Sequence, residues 1–334
     1  MSLLRLRVLL AAIILTLAAI GAAFGQTDPL PSWNDGPDKS RIIDFVRETT
    51  TPGGAQYIEP AARIATFDND GTLWLEKPAP AQLLFVFDRI RALAHAHPRW
   101  KTTEPYASVL KGDMKGLMAS GAQGIEQLMA ATHAGMTTDQ FHDIVVKWIA
   151  TAENPQFHRP YTQLVYQPML ELLAYLRANG FKTYIVSGGG VEFMRPWADA
   201  TYGIPPEQVI GSTGIVKYEL DAHGNPVLTK QIDVEWVDDK TGKPVAINRV
   251  IGRRPIIAVG NSDGDRQMLE WTAAGSGPRL AIYIHHDDAA REVAYDRGDK
   301  LAALDKGLDE AAAKGWLLVS MKNDWKTIFP PQAQ

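Results

Sequence analysis

Two aspartates one residue apart, Asp68 and Asp70 in Asp68-Asn69-Asp70-Gly71-Thr72, follow directly on the short apolar run Arg63-Ile-Ala-Thr-Phe67. In an extended chain, residues two apart point to the same side, so the two carboxylates share one small volume. Like charges that close repel, and one must hold a proton unless a cation lies beside them. A magnesium ion removes the conflict, and a retained proton is itself useful. Asp68 is then placed to attack phosphorus, while Asp70 protonates the departing alkoxide and later deprotonates water. Gly71 permits a tight turn beside a ligand. A plain polar turn or a calcium loop has a similar composition. A helix–loop–helix calcium site, however, needs glycine at its sixth position and flanking helices, whereas Asp68 follows a strand-like run.

Three further segments carry polar chemistry. Ser187-Gly188-Gly189-Gly190 offers a hydroxyl and free backbone N–H groups, a ready anion site, although glycine-rich turns of this kind are common in α/β sheets. It is not the Gly-x-Ser-x-Gly elbow of a serine hydrolase, because Ile185 stands at the first glycine position. Lys243 precedes Pro244 and an apolar-periodic stretch with Ile247, Val250 and Ile251. Its ammonium therefore sits at a helix N-terminus, where it can neutralise a transferring phosphoryl group, with Lys240 and Lys230 as competitors for that role and an exposed turn lysine as the plain alternative. Gly260-Asn261-Ser262-Asp263-Gly264-Asp265 adds oxygen donors of the kind hard cations take, and Arg266 at the sixth position from Asn261 again rules out a helix–loop–helix calcium loop.

These residues need elements to hold them. Arg63–Phe67, Lys182–Val186 and Pro255–Val259 read as buried strands that each end in polar or glycine-rich residues, and Leu280–Ile284 and the stretch from Trp316 to Val319 extend the series. Met169, Leu172, Leu173 and Leu176 recur at helical spacing, with Pro168 in the first turn and Gly180 just past the end. The alternation predicts an α/β fold with a parallel sheet. Between the first two strands, Leu83, Val86, Phe87 and Ile90 form one apolar stripe, and Phe141, Ile144, Val145 and Trp148 form another behind a capping box at Thr137 and Gln140. That insert is too long for a simple crossover, so residues 81–162 are assigned to a helical cap, with residues 26–80 and 163–334 as the core. His223-Gly224-Asn225 and Thr241-Gly242-Lys243 suggest β-hairpins within residues 213–243.

Composition narrows the function. The 334 residues are 46% hydrophobic and 22% charged, with a formal net charge of -4, so no broad basic surface favours nucleic acid. Cysteine is absent, which excludes disulfides and thiolate chemistry. Arg5 and Arg7 precede an apolar run from Val8 to Ile20 and small residues ending at Gly25, the pattern of a secretory signal peptide over residues 1–25. The expectation is an exported protein, periplasmic or secreted, that touches a membrane only if this segment is retained as an anchor.

The order and spacing of the four polar segments resemble the haloacid dehalogenase superfamily over about residues 63–271, specifically its phosphatases with a helical cap after the first motif, as in phosphoserine phosphatases. The resemblance implies a Rossmann-like, doubly wound, mostly parallel sheet and a Mg2+-dependent phosphomonoesterase that passes through an aspartyl-phosphate. It implies Asp68 as nucleophile and metal ligand, Asp70 as general acid/base whose main-chain carbonyl also touches magnesium, and Lys243 as the residue that steadies Asp68 and the phosphoryl oxygens. Thr72, Ser187 and Gly188 would bind phosphate, and Asp265 would ligate or orient water on the metal. Asn261 departs from the usual Gly-Asp start of the fourth motif. An amide oxygen still ligates magnesium, with one negative charge fewer, so Asn261, Asp263 and Asp265 stay open as ligands. Asp70 separates the chain from the dehalogenases, which lack the second aspartate.

The resemblance also implies that Glu76, a few residues past the first motif, reaches a cationic group of a small phosphorylated substrate; the alternative is a surface glutamate paired with Lys77. His285 and His286, beside Asp287 and Asp288, are expected in a solvated loop, and His95 and His97 at an exposed helix end. Two alternatives to a phosphatase stand: a phosphate-ester-binding protein without turnover, motivated by Asn261, and a phosphotransferase.

Overall fold

The computed structural model describes residues 28–332; the signal segment expected over residues 1–25 lies outside the described residues. A first helix, α1 (Pro37–Thr50), leads into β1 (Ile64–Phe67), which is buried at every position. The chain then leaves the sheet for helices α2 (Ala81–Leu93), α3 (Tyr106–Lys111), α4 (Met114–Ala119), α5 (Gly121–His133) and α6 (Thr138–Ile149) before returning. Both apolar stripes read from the sequence fall on helices of this insert. At the start of α6 the capping box is complete, with Thr137 and Gln140 each accepting the other's backbone N–H.

Helix α7 (Gln167–Ala178) has Pro168 in its first turn and ends before Gly180, whose φ of 77° is the left-handed conformation glycine adopts without cost. There follow β2 (Lys182–Gly190), α8 (Val191–Tyr202), β3 (Val209–Leu220), β4 (Pro226–Trp236), α9 (Gly242–Val250), β5 (Ile257–Gly260), α10 (Arg266–Ala273), β6 (Leu280–His285), α11 (Lys306–Lys314), β7 (Leu317–Ser320) and α12 (Met321–Asp324). The sheet runs in the order β4-β3-β2-β1-β5-β6-β7, parallel throughout except for the antiparallel β3–β4 pair.

Alternation along the strands explains the two layers of helices. Ile257 and Val259 join one buried cluster with α1 and α7 (Ile42, Val46, Leu172, Leu176), while Ala258, Ala281 and Tyr283 join another with α9 and α10 (Ile247, Met268, Leu269). A strand buried on both faces needs apolar residues at successive positions, which is why β1 and β5 read as unbroken apolar runs rather than alternating ones. The fold is the expected doubly wound α/β arrangement.

One expected turn is different. Residues 221–225 close a single β3–β4 hairpin, where the Asp221 carboxylate accepts the N–H groups of His223 and Asn225 and Gly224 has φ 81°. Thr241-Gly242-Lys243 instead opens α9, because the apolar period after Pro244 carries the chain into a helix. From β1 the chain builds outward through β2 and β3 on one side and through β5, β6 and β7 on the other. The strand ends beside this reversal of direction form a crevice, the general place where open α/β sheets bind ligands.

Candidate active site

Three strand ends meet in that crevice. Asp68 follows β1, and its backbone N–H donates to the Val259 carbonyl of β5 at 2.9 Å, so parallel pairing itself holds its position. Ser187 lies in β2, and Asn261 follows β5. Lys243, at the start of α9, reaches in with its ammonium fully engaged: Nζ donates to Asp68 Oδ1 at 2.6 Å, to Asp265 Oδ1 at 2.6 Å and to the Val186 carbonyl at 2.8 Å. An ammonium has three donors, and all are used. Its effect on a bound anion is therefore exerted through charge rather than a further hydrogen bond. Lys243 is 2% exposed. Burial alone would lower its pKa, but the charges of Asp265, Asp68 and Asp238 outweigh it and raise the value, keeping the group protonated. The two competing lysines are elsewhere: Lys240 is exposed, and Lys230 is buried against Glu192 and the Phe141 ring.

The carboxylates outnumber the one lysine. Burial and the neighbouring Asp265 charge push Asp68 well above the ordinary aspartate range, with Asp70 contributing less. Burial also raises Asp70, although its Oδ1 accepts the Trp74 indole N–H at 2.8 Å. A buried site carrying Asp68, Asp70 and Asp265 against a single ammonium is electrostatically incomplete without a cation.

The donors fit a small hard cation. Asp265 has both oxygens engaged, Oδ1 with Lys243 and Oδ2 with the backbone N–H groups of Asn261 and Ser262 at 3.0 and 3.1 Å, so it braces the loop from behind. Asp263 turns away altogether: its carboxylate accepts the N–H groups of Asp305, Lys306 and Gly307 at the start of α11. Of the ligands implied by the resemblance, Asp68, the Asp70 carbonyl and the Asn261 amide oxygen remain. So few protein oxygens suit magnesium, which keeps most of its own waters, and not calcium, which wants six to eight ligands. Among the described residues, no group of three or more His, Cys, Asp or Glu side chains is arranged to hold a metal by itself.

Of the phosphate candidates, Ser187, Gly188 and Gly189 line the cavity, with Ser187 Oγ accepting the Gly189 N–H at 3.1 Å. Thr72 is different: it is fully buried, and its hydroxyl donates to Asn261 Oδ1 at 3.0 Å, so it orients the amide. Glu76 is not a surface partner of Lys77, which pairs with Asp299 at 2.8 Å. It is 5% exposed, faces the cavity, and accepts from Asn261 Nδ2 at 2.8 Å and from the Tyr295 hydroxyl. Burial pushes its pKa up to about 7.

His286 corrects the expectation of a solvated loop. It is 2% exposed, with Nε2 2.7 Å from the Gly71 carbonyl and Nδ1 3.2 Å from Glu292 Oε2, and its ring stacks on Tyr295. Glu292 in turn accepts the Tyr166 hydroxyl at 2.9 Å. Tyr166, Glu292, Tyr295 and His286 thus buttress the Asp68–Glu76 loop, and no local sequence signal marks them. His95 and His97 are exposed, as expected. Gly71, at φ 77°, passes so close to Asn261 and Glu76 that any Cβ there would collide with both side chains.

Residues 65–270 match the family model described as haloacid dehalogenase-like hydrolase. Among solved structures, a conserved protein of unknown function from Anaerococcus prevotii DSM 20548 aligns over 92% of this chain and all of its own, at 14% identity and a TM-score of 0.56. A protein of unknown function from Bordetella pertussis Tohama I aligns over 77% of this chain and 97% of its own, at 17% identity and a TM-score of 0.48. The first of these likenesses supports the fold, and the second is too distant to carry more. No curated protein matches the chain.

Proposed function

This chain belongs to the haloacid dehalogenase-like hydrolase family, and we propose that it is an exported, Mg2+-dependent phosphomonoesterase working through an aspartyl-phosphate on Asp68. The observation that carries this reading is the convergence of Asp68, Asp70, Lys243 and the Ser187–Gly189 turn on one cavity. Asp68, the Asp70 carbonyl and Asn261 would hold the magnesium, which when bound neutralises negative charge on the phosphoryl oxygens.

The chain's own residues do the rest. An Asp68 oxygen forms a bond to phosphorus as the bond from phosphorus to the ester oxygen breaks. Asp70, whose raised pKa favours the protonated form, gives its proton to that departing oxygen, and the alcohol leaves. A water molecule then loses a proton to the Asp70 carboxylate and attacks the same phosphorus, breaking the Asp68–phosphorus bond and releasing inorganic phosphate. Trp74 holds the Asp70 carboxyl in place, and Lys243 offsets the negative charge on Asp68 throughout. Ser187, Gly188 and Gly189 line the cavity where the phosphoryl oxygens would sit.

The test is phosphate release from p-nitrophenyl phosphate by the purified mature chain with and without Mg2+, alongside Asp68→Asn. Turnover is expected only with Mg2+ and only in the parent, with a loss of at least about 10⁴-fold in the variant. Wild-type turnover in Asp68→Asn would remove the nucleophile from this scheme.

A further inference from the structure

The cavity above Asp68 is far larger than a phosphoryl group requires. Its volume is about 550 Å³, within the range of about 300–1,000 Å³ that sites for drug-sized ligands occupy. Beside the polar site already described, and the polar Gln82, Ser262 and Asp239, it has a continuous set of large apolar side chains. Leu83 comes from α2, Leu117 and Met118 from α4, and Ile125 and Met129 from α5, and Leu301 also lines the cavity. Met118 and Leu301 remain 37% and 44% exposed, large apolar side chains left facing the opening. Methionines suit such a wall because their unbranched side chains adapt to varied apolar shapes.

The charges exclude an anionic leaving group. Among the described residues that line the cavity, Lys243 is the one cation, and its three donors are already committed. The other charged groups away from the catalytic pair, Glu76, Asp239 and Asp265, are acidic. A carboxylate or second phosphate on the leaving group would be desolvated among carboxylates with no ammonium or guanidinium to meet it. A hydroxyl-rich sugar would lose its hydrogen bonds to water against the leucine and methionine walls.

We propose that the substrate is a phosphate monoester of a largely apolar alcohol or phenol that carries no negative charge of its own, bound with its hydrocarbon part against Leu83, Leu117, Met118, Ile125 and Met129. This rests on the phosphatase reading above and specifies the leaving group for it. Aliphatic phosphates of increasing length separate apolar contact from leaving-group chemistry, because their alcohols differ little in acidity.

The experiment measures kcat/KM with Mg2+ for ethyl, butyl, hexyl and octyl phosphate, with phosphoserine, glucose 6-phosphate and p-nitrophenyl phosphate as comparisons. Each methylene that enters the cavity is expected to raise kcat/KM by about fourfold until the space is filled. Phosphoserine and glucose 6-phosphate are expected to fall below butyl phosphate. Met118→Glu is expected to lower the octyl-to-ethyl ratio by about tenfold or more; a variant that merely folded poorly would lower both values and leave the ratio standing. A flat chain-length series, or phosphoserine turned over better than hexyl phosphate, overturns the proposed substrate class while p-nitrophenyl phosphate hydrolysis upholds the phosphatase. Failure to release phosphate from any ester overturns both.

Discussion

Asp238 lies shortly before Lys243 in the chain and is fully buried, yet neither carboxylate oxygen has a hydrogen-bond partner among the described residues. Burial raises its pKa from 3.8 to about 6, against the opposing pull of the Lys243 charge and of the Trp236 indole, which lies near it without closing to hydrogen-bond geometry. At about 1.4 kcal/mol per pH unit, the ionised carboxylate costs the folded state about 3 kcal/mol. The folded form binds the proton more tightly than the unfolded chain does. The contribution of this residue to stability is therefore greatest below pH 3.8 and is lost as pH rises through 6. Asp238→Asn removes the titration. Relative to the parent, the variant should gain about 2.5 kcal/mol of stability between pH 4 and 8. Any constant effect of burying an amide cancels in that difference. Urea unfolding followed by tryptophan fluorescence at several pH values measures it. Stability curves for parent and variant that run parallel across this range would show that Asp238 is paired, or exposed, in solution and refute the reasoning.

Two other substitutions probe the cluster from different sides. Lys243→Met leaves Asp68 and Asp265 buried without their shared counter-charge, so stability should fall by about 3–5 kcal/mol and phosphate release by at least about 10²-fold, read by urea unfolding and a phosphate assay. Asn261→Asp restores a carboxylate among the proposed magnesium ligands and should tighten Mg2+ binding about tenfold, measured by calorimetric titration of the metal into the purified protein without substrate. Unchanged metal affinity would place Asn261 outside the ligand set.

Much of this site could be read from local order along the chain. Asp68 and Asp70 stand out because a carboxylate pair at the end of an apolar run has few structural uses, and the Thr137–Gln140 capping box declares itself because both partners lie within one helical turn. Lys243 is one of three candidate lysines in the sequence, and only the position of α9 distinguishes it, since reach across 175 residues to Asp68 depends on where a helix lies against the sheet. The same limit applied to Asp263. Its carboxylate lies two residues from Asn261, but its partners are N–H groups at 305–307, brought close only by the packing of α11.

His286 marks the boundary most clearly. Four polar residues in a row, His285 to Asp288, carry the composition of a solvated loop, and nothing nearby in sequence says otherwise. Burial came from Tyr295 folding back to pair with it and from Gly71, 215 residues away, offering a carbonyl. The sequence by itself determined the periodic elements, the strand-end carboxylates and the small residues beside them, because those depend on neighbours within a turn or a strand. Tertiary structure alone decided which carboxylates face the cavity, which lysine joins them and what covers the site, because side-chain environment is set by contacts between distant segments.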